Sequence, residues 1–269
     1  MINKVIHYCW FGENKIDKTS ELCMKSWEEF LPDFSKKKWS EENCLIDNPF
    51  VRKSFKEKKW AFLADYFRLK ALYSEGGIYL DTDMLLVKSL NPLLNEKCFL
   101  GFESTDMVSA GIIGAVPNHP FIRRCLDFYD NLNDFDFLNP TSIPIVITDQ
   151  LKKNGLEKYG GQNIGEVMLF PIDYFYPYTY RDHLLGKNSK EKITENTFAV
   201  HLWNASWQPP YYKASQLLKD ANFAGGLKEC LKTGYQKPNC LAKAGYYKIF
   251  IKLVMGYLRY LLRLKKTKK

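Results

Sequence analysis

The chain has 269 residues, of which 46% are hydrophobic and 15% aromatic, with 39 Lys or Arg against 30 Asp or Glu. That size and apolar content suit one large α/β domain with a core of its own, while seven Cys without a C-x-x-C pair exclude a disulfide framework and a zinc knuckle. Ten of the basic residues, and no acid, lie from Lys237 onward, so the +9 charge belongs to a tail and a basic nucleic-acid-binding body is excluded.

Taken in order, the elements begin with a strand over Val5 to Trp10, which starts too early and too apolar to follow a signal peptide. Thr19-Ser20-Glu21 opens a helix that runs to about Phe30, where Pro32 closes it. Lys36 to Asn48 is polar and mixed, a short strand and loop, and Asn48 to Lys59 is a helix with a charged outer face. Trp60 to Ser74 is the next helix, with Ala61, Ala64, Leu69 and Leu72 among its apolar positions, and Gly76-Gly77 ends it. Ile78-Tyr79-Leu80 is then a buried strand delivering Asp81 and Asp83 at its carboxyl end, with Met84 to Val87 continuing extended. Cys98 to Phe102 is another strand. Val108 to Val116, interrupted by glycines, is a buried strand where a ligand or backbone comes close. Pro120 to Asp130, capped by His119, and Ser142 to Lys153 are helices, and Val167 to Phe170 and Thr197 to Leu202 are late strands. Strands alternating with helices over some 200 residues predict an α/β fold. The expected division is a catalytic domain over 1–212 and a helical segment over 213–269. Reduced, mostly buried thiols favour a cytosolic setting, and His7, inside the first strand, is structural.

The densest information lies in Ala64 to Asp83. An acid and an arginine, Asp65 and Arg68, stand one helical turn apart, and two carboxylates close the following strand on alternate residues. In an extended segment residues i and i+2 point the same way, so Asp81 and Asp83 converge, as a hard divalent cation sharing its sphere with phosphate oxygens requires. The triplet alone carries little weight. With fifteen Asp in the chain, roughly one such triplet arises by chance, and Asp134-Phe135-Asp136, in a polar stretch with no strand before it, reads as a solvated loop. Context separates the two, because ligands bind at the carboxyl ends of strands in open α/β sheets.

The block A-D-Y-x-R-x-x-x-L-Y-x-x-G-G-I-Y-L-D-T-D resembles the sugar-binding region of the D-x-D glycosyltransferases of family 32. More distantly, it resembles the catalytic domain of the large clostridial glucosylating toxins. Val5-Ile6-His7-Tyr8-Cys9-Trp10-Phe11-Gly12 looks like the I-H-x-x-W-x-G first strand of those enzymes, and His201-Leu202-Trp203-Asn204-Ala205-Ser206-Trp207 looks like their H-x-x-x-S-W element. The resemblance spans about residues 1 to 210. It implies a GT-A fold, a Rossmann-like mixed sheet flanked by helices, with a nucleotide-sugar donor, a divalent metal (Mn²⁺ or Mg²⁺) and retention of anomeric configuration. On this basis Asp83 is a direct metal ligand, and Asp81 is shared between metal and the donor's hydroxyls. Asp65 contacts the donor sugar and Arg68 steadies the diphosphate or sugar, although the two could instead pair with each other on a helix surface. His201 is either a third ligand or a hydrogen-bonded structural residue. Trp10 either stacks on the base or is buried, and Tyr79 either backs the site or packs in the core. Ser206 and Trp207 belong to a lid that reaches the β-phosphate and excludes water. Front-face attack by the acceptor, with the leaving phosphate taking the proton, is implied in place of a carboxylate nucleophile.

Within the tail, Lys248, Lys252, Arg259 and Arg263 share one helical face, and Phe250, Val254, Tyr257, Leu261 and Leu264 share another. A basic amphipathic helix followed by Lys265-Lys266-Thr267-Lys268-Lys269 suits an anionic membrane surface. Docking on the catalytic domain or pairing with a second copy are the other readings. Its longest charge-free apolar run, Leu253 to Leu258, falls far short of the roughly 20 residues of a membrane span. The expected setting is the inner face of a bacterial cell membrane, with a UDP-sugar donor and a lipid-linked saccharide acceptor in surface (capsular or lipopolysaccharide) polysaccharide synthesis. Two other classes use parts of this pattern. A metal-dependent phosphohydrolase or nucleotidyltransferase would want more acids or a Gly-rich phosphate loop, and a non-catalytic membrane adaptor would not need Asp65, Arg68, Asp81, Asp83 and Trp207 intact.

Overall fold

The computed structural model describes residues 1–13, 15–132, 141–204, 212–219, 222–236 and 244–266. The chain packs as two compact units, Met1–Thr179 with Asn188–Asn204, and Tyr180–Lys187 with Ala205–Lys269. In chain order the first unit contains β1 (Val5–Cys9), α1 (Lys18–Phe30), β2 (Ser35–Trp39), α2 (Pro49–Lys56), α3 (Trp60–Glu75), β3 (Gly77–Leu80), β4 (Met84–Leu86), β5 (Cys98–Gly101), β6 (Ile112–Ala115), α4 (Pro120–Asp130), α5 (Ile143–Lys152), β7 (Gln162–Ile164), β8 (Val167–Phe170), α6 (Ile172–Phe175) and β9 (Ala199–His201).

Seven strands form one mixed sheet in the order β2-β1-β3-β6-β5-β8-β7, and β4 and β9 form a second sheet of two. β1 runs parallel to β2 and β3, β6 runs antiparallel to both β3 and β5, β5 is parallel to β8, and β7 returns antiparallel. Alternation along the strands sends Tyr79, Leu100, Ile113 and Leu169 into a core with α2 to α5. Their neighbours Ile78, Leu80, Phe99, Ile112 and Phe170 enter a second core with α1 and the small sheet. Both faces of the central strands are covered, which is why β3, β5 and β6 are buried at every position and read as continuous apolar runs. This is the α/β sheet flanked by helices that the sequence leads one to expect.

The capping chemistry is local. The Asp17 side chain accepts the Ser20 N–H at 2.9 Å to start α1, and His119 accepts the Phe121 N–H to start α4, as expected of it. Gly76 ends α3 at φ 65°, and Gly77 follows at φ 106°. A Cβ on Gly76 would lie 2.6 Å from Pro117, and one on Gly77 would lie 2.5 Å from Val5, so both glycines are required for the turn and for β3 to sit against β1. His7 is fully buried, donating from Nε2 to the Gly76 carbonyl (2.8 Å) and accepting the Trp39 indole N–H at Nδ1 (3.1 Å).

One local expectation is corrected and one strand is added. The strand expected over Ile78 to Leu80 is β3 and delivers Asp81 and Asp83 at its carboxyl end, but 81–83 is not extended: the Met84 N–H bonds back to the Asp81 carbonyl at 2.9 Å. The two carboxylates converge through this tight turn, which carries the chain from the large sheet to the small one, and not through strand alternation. β7 was not foreseen, because Gln162 and Asn163 make a short polar edge strand with no apolar alternation.

The second unit comprises α7 (Tyr180–Leu184), α8 (Tyr212–Lys219), α9 (Phe223–Gln236) and α10 (Ala244–Lys266). Its core joins Ala214, Cys230, Tyr246 and Leu253. The Tyr246 hydroxyl donates to the Cys230 carbonyl at 2.8 Å, and a Cβ on Gly226 would come within 2.4 Å of Leu253, so α9 and α10 touch closely at that glycine. Part of the apolar stripe of α10 is used within this unit: Phe250 packs against this core, and Val254 and Tyr257 are half-buried. Among the described side chains of this helix, Tyr247, Ile251, Met255 and Leu258 are exposed, beside exposed Lys248 and Lys252, while those of Arg259, Leu261, Arg263 and Leu264 lie outside the described residues.

Candidate functional site

The carboxyl ends of β1 and β3 lie side by side, with Ile6 level with Ile78 and His7 with Tyr79. Continuing that parallel register sets Cys9 and Trp10 beside the Asp81–Asp83 turn. Two groups of polar side chains meet there.

The first group is built by α3 and β3. Asp65 and Arg68 are buried at 8% and 5% exposure, so their pairing is not the surface ion pair that the spacing also allowed. Arg68 Nη2 donates to Asp65 at 3.0 Å, and Nη1 reaches both Asp81 (3.1 Å) and the Ala110 carbonyl (2.8 Å). Nε bonds the Ala64 carbonyl at 3.2 Å, and the guanidinium lies over the Tyr79 ring, 4.5 Å from its centre. All three guanidinium nitrogens are therefore engaged with the protein. The Tyr79 hydroxyl donates to Asp81 at 2.9 Å, so Tyr79 both packs in the core and backs the site. One guanidinium between two carboxylates leaves the group one negative charge in excess. Burial pushes the Asp65 carboxyl up to about 7, against the pull of Arg68 and with the push of Asp81.

The second group is assembled by the small sheet. Antiparallel pairing of β4 with β9 sets Met84 opposite His201, which brings His201 Nε2 to 3.1 Å from an Asp83 oxygen. The other Asp83 oxygen accepts the Asn204 N–H at 2.8 Å, and the Asn204 side chain reaches back to Asp17 at 2.7 Å. Burial opposes the charge on both partners, but their mutual attraction wins, holding the Asp83 carboxyl below its ordinary value and raising His201. Trp203 lies against His201 with ring centres 4.0 Å apart. Its backbone is left-handed at φ 55°, a conformation unusual for so bulky a residue, and its indole N–H bonds the Tyr178 carbonyl at 2.7 Å.

Ligand atoms of Asp81, Asp83 and His201 all lie within 4.8 Å of one another. Two ligands about 2.1 Å from one ion and at right angles to each other sit about 3 Å apart, close to the Asp83–His201 separation of 3.1 Å. Two carboxylate oxygens and an imidazole nitrogen therefore fit a divalent cation in both spacing and donor chemistry. Trp10 is half-buried and lines a cleft of about 290 Å³ with Gly12, Lys15, Ser40 and Glu41. Ser206 and Trp207, and with them the expected lid, lie outside the described residues, as does Asp134-Phe135-Asp136.

Sequence reasoning missed Asn204, Trp203 and Tyr176. The first two fall inside the His201–Trp207 motif and were passed over for the serine and tryptophan after them. Tyr176 carries no signal within its aromatic run, yet its hydroxyl accepts the Ile112 N–H at 3.1 Å and its ring meets His201 edge-on at 5.8 Å.

Comparison with known proteins bears on the same residues. Residues 17–100 match the family model described as the glycosyltransferase sugar-binding region containing DXD motif, and residues 115–221 match the alpha 1,4-glycosyltransferase conserved region. Among curated relatives, human alpha-1,4-N-acetylglucosaminyltransferase is 30% identical over 158 residues, which is 55% of this chain and 44% of that one. Mouse lactosylceramide 4-alpha-galactosyltransferase is 31% identical over 163 residues, 57% of this chain and 44% of that one. Inositol phosphoceramide mannosyltransferase 3 of Schizosaccharomyces pombe is 30% identical over 141 residues, 51% of this chain and 38% of that one. The chain thus spans less than half the length of these relatives. Among solved structures, PaToxG Glycosyltransferase superposes with a TM-score of 0.46 at 20% identity, over 56% of this chain and 69% of that one. The D-x-D turn, the helix before it and the late His-x-x-Asn segment all fall within the two matched regions, and through them the chain resembles the glycosyltransferases with a DXD-containing sugar-binding region.

Proposed function

We propose that this protein is a metal-dependent, retaining glycosyltransferase that moves a hexose from a nucleotide sugar to a saccharide acceptor. The observation that carries the reading is the convergence of Asp81, Asp83 and His201 on the turn that the family model marks as sugar-binding. The imidazole favours Mn²⁺ over Mg²⁺, which prefers an all-oxygen shell. When bound, the ion supplies Lewis acidity to the departing diphosphate. Asp83 and His201 are its ligands and Asp81 is shared with the donor. Arg68, whose nitrogens are already engaged, acts by holding Asp81 and Asp65 in place. Asp65 faces the donor sugar, Tyr79 steadies Asp81, and Trp10 stacks on the base; Ser206 and Trp207 are assigned to the β-phosphate by the motif they complete.

UDP-sugars are the favoured donors. Relatives named for α-linked products support retention, since common hexose nucleotides are themselves α-linked. Relatives named for lactosylceramide and inositol phosphoceramide support a lipid-linked saccharide acceptor. No helix among the described residues is long and apolar enough to cross a membrane. The exposed ridge of α10, Tyr247, Ile251, Met255 and Leu258, flanked by lysines and followed by a basic end, supports peripheral attachment to an anionic surface. We place the enzyme at the inner face of a bacterial cell membrane, in surface polysaccharide assembly.

The test is calorimetric titration with nucleoside diphosphates, with and without Mn²⁺, followed by turnover of the matching sugar nucleotides. Mn²⁺-dependent UDP binding together with UDP release from a UDP-hexose supports the reading. Absence of metal-dependent binding across the panel overturns it.

A further inference from the structure

Glu103 is a half-buried carboxylate at the same edge of the large sheet, used neither by the Asp81–Asp83–His201 cluster nor by the Arg68 pair. It leaves the carboxyl end of β5, one residue beyond the bridge between Phe102 and Val108. Its N–H bonds the Met107 carbonyl at 3.0 Å, folding the 103–107 loop back so that the side chain meets the hydroxyl of buried Ser109. The Ser109 hydroxyl also faces the Tyr176 hydroxyl, which accepts the Ile112 N–H at 3.1 Å. The chain of contacts ends at the metal cluster. A Cβ on Gly111 would lie 3.1 Å from Tyr176 Oη and 3.3 Å from Asp81 Oδ2, so only a glycine-sized gap separates them.

The strand order converts this chain into a position. β6 lies between β3 and β5, so the mouths of β3 and β5 are two strand spacings, about 10 Å, apart. A diphosphate held at Asp81 and Asp83 sits at the mouth of β3, and the sugar ring begins one phosphoester oxygen beyond the β-phosphorus. A ring laid along the sheet edge past Gly111 arrives at Glu103.

We propose that Glu103 is a catalytic carboxylate facing the transferred sugar, where it stabilises the positive charge that develops at the anomeric carbon. This rests on the glycosyl-transfer reading above. The bond from the anomeric carbon to the phosphate oxygen breaks and its electron pair leaves with the nucleoside diphosphate. The bond to the acceptor oxygen forms, and the acceptor proton passes to the leaving phosphate oxygen. Glu103 supplies a counter-charge and forms no covalent bond. Burial raises the Glu103 carboxyl, and the Ser109 hydroxyl beside it opposes that shift and aims the side chain.

The test compares Glu103→Gln, Glu103→Ala and Ser109→Ala with the parent protein. It measures Mn²⁺-dependent UDP affinity, kcat and KM for transfer from the UDP-hexose that the parent turns over, and thermal stability. Glu103→Gln is expected to keep UDP affinity and KM within about threefold while kcat falls about 100-fold, and Ser109→Ala is expected to fall less. A kcat for Glu103→Gln within threefold of the parent overturns the inference. Rescue of Glu103→Ala by azide, giving a sugar azide of inverted configuration, also overturns it, because the carboxylate would then be a nucleophile. A parent protein that neither binds UDP nor turns over any donor strikes the transfer reading itself, an outcome distinct from both.

Discussion

The two halves of the site are built in opposite ways. The Asp65–Arg68–Asp81 group comes from one helix and the turn that closes the strand after it, within seventeen consecutive residues, and its ion pairs are sealed in the core at 7% to 27% side-chain exposure. The Asp83–His201–Asn204 group joins residues 118 and 121 positions apart and depends on a sheet of two three-residue strands. The first half is a rigid fixture, since any movement of Arg68 leaves a carboxylate buried without its partner. The second can loosen wherever β4 and β9 separate, and it contributes two of the three candidate metal ligands. Binding affinity and fold stability should therefore answer to different halves.

The sharpest separation comes from Asp83→Ala. Transfer is expected to fall by about 1,000-fold or more and Mn²⁺-dependent UDP binding to be lost, with a far-UV spectrum like that of the parent. Normal turnover by this variant would remove the metal site from the second half. Arg68→Ala should act on stability as well, costing about 3–5 kcal/mol because Asp65 and Asp81 remain buried without their cation. Urea unfolding checks this, and a loss of activity with unchanged stability would show that Arg68 serves substrate rather than scaffold. Val200→Ala sharpens the contrast from the other side. Val200 is fully buried and pairs with Leu85, one position before His201. We expect about 2 kcal/mol of destabilisation and a fall of about tenfold in metal affinity, measured by Mn²⁺ titration.

The smallest effect is a difference in sign between two histidines, read in chelator. Burial lowers His7, so its contribution to stability is complete above the unfolded value near 6.5 and declines as pH falls below it. His201 is raised by Asp83 in spite of burial, so its contribution is complete below about 6.5 and is lost as pH rises through the higher folded value. Each slope is at most about 1.4 kcal/mol per pH unit. The melting-temperature deficit of His201→Gln should thus shrink between pH 5.5 and pH 8, while that of His7→Gln should grow. Parallel curves would mean that the Asp83–His201 pair is not formed in the metal-free protein.

Local chemistry by itself determined much of this protein. The spacing of Asp65 and Arg68, the paired glycines, the apolar run and the two acids that follow are enough to recover α3, β3 and the carboxylates, because each depends on neighbours within one or two helical turns. The family resemblance follows from the same block. Only the tertiary structure decided how these pieces act. Strand alternation was the wrong reason for the convergence of Asp81 and Asp83, since the Met84-to-Asp81 hydrogen bond makes a turn there. Whether Arg68 was exposed or buried could not be read from its spacing, because burial depends on what the segment leading into β6, with its Ala110 carbonyl, brings from 42 residues away. His201 carried two readings until β9 was paired with β4, and the outward face of α10 was settled by Gly226, Cys230 and Tyr246, not by the helix's own periodicity. Each of these outcomes is a contact between segments distant in sequence, and a side chain's role there depends on a partner that its own neighbourhood does not name.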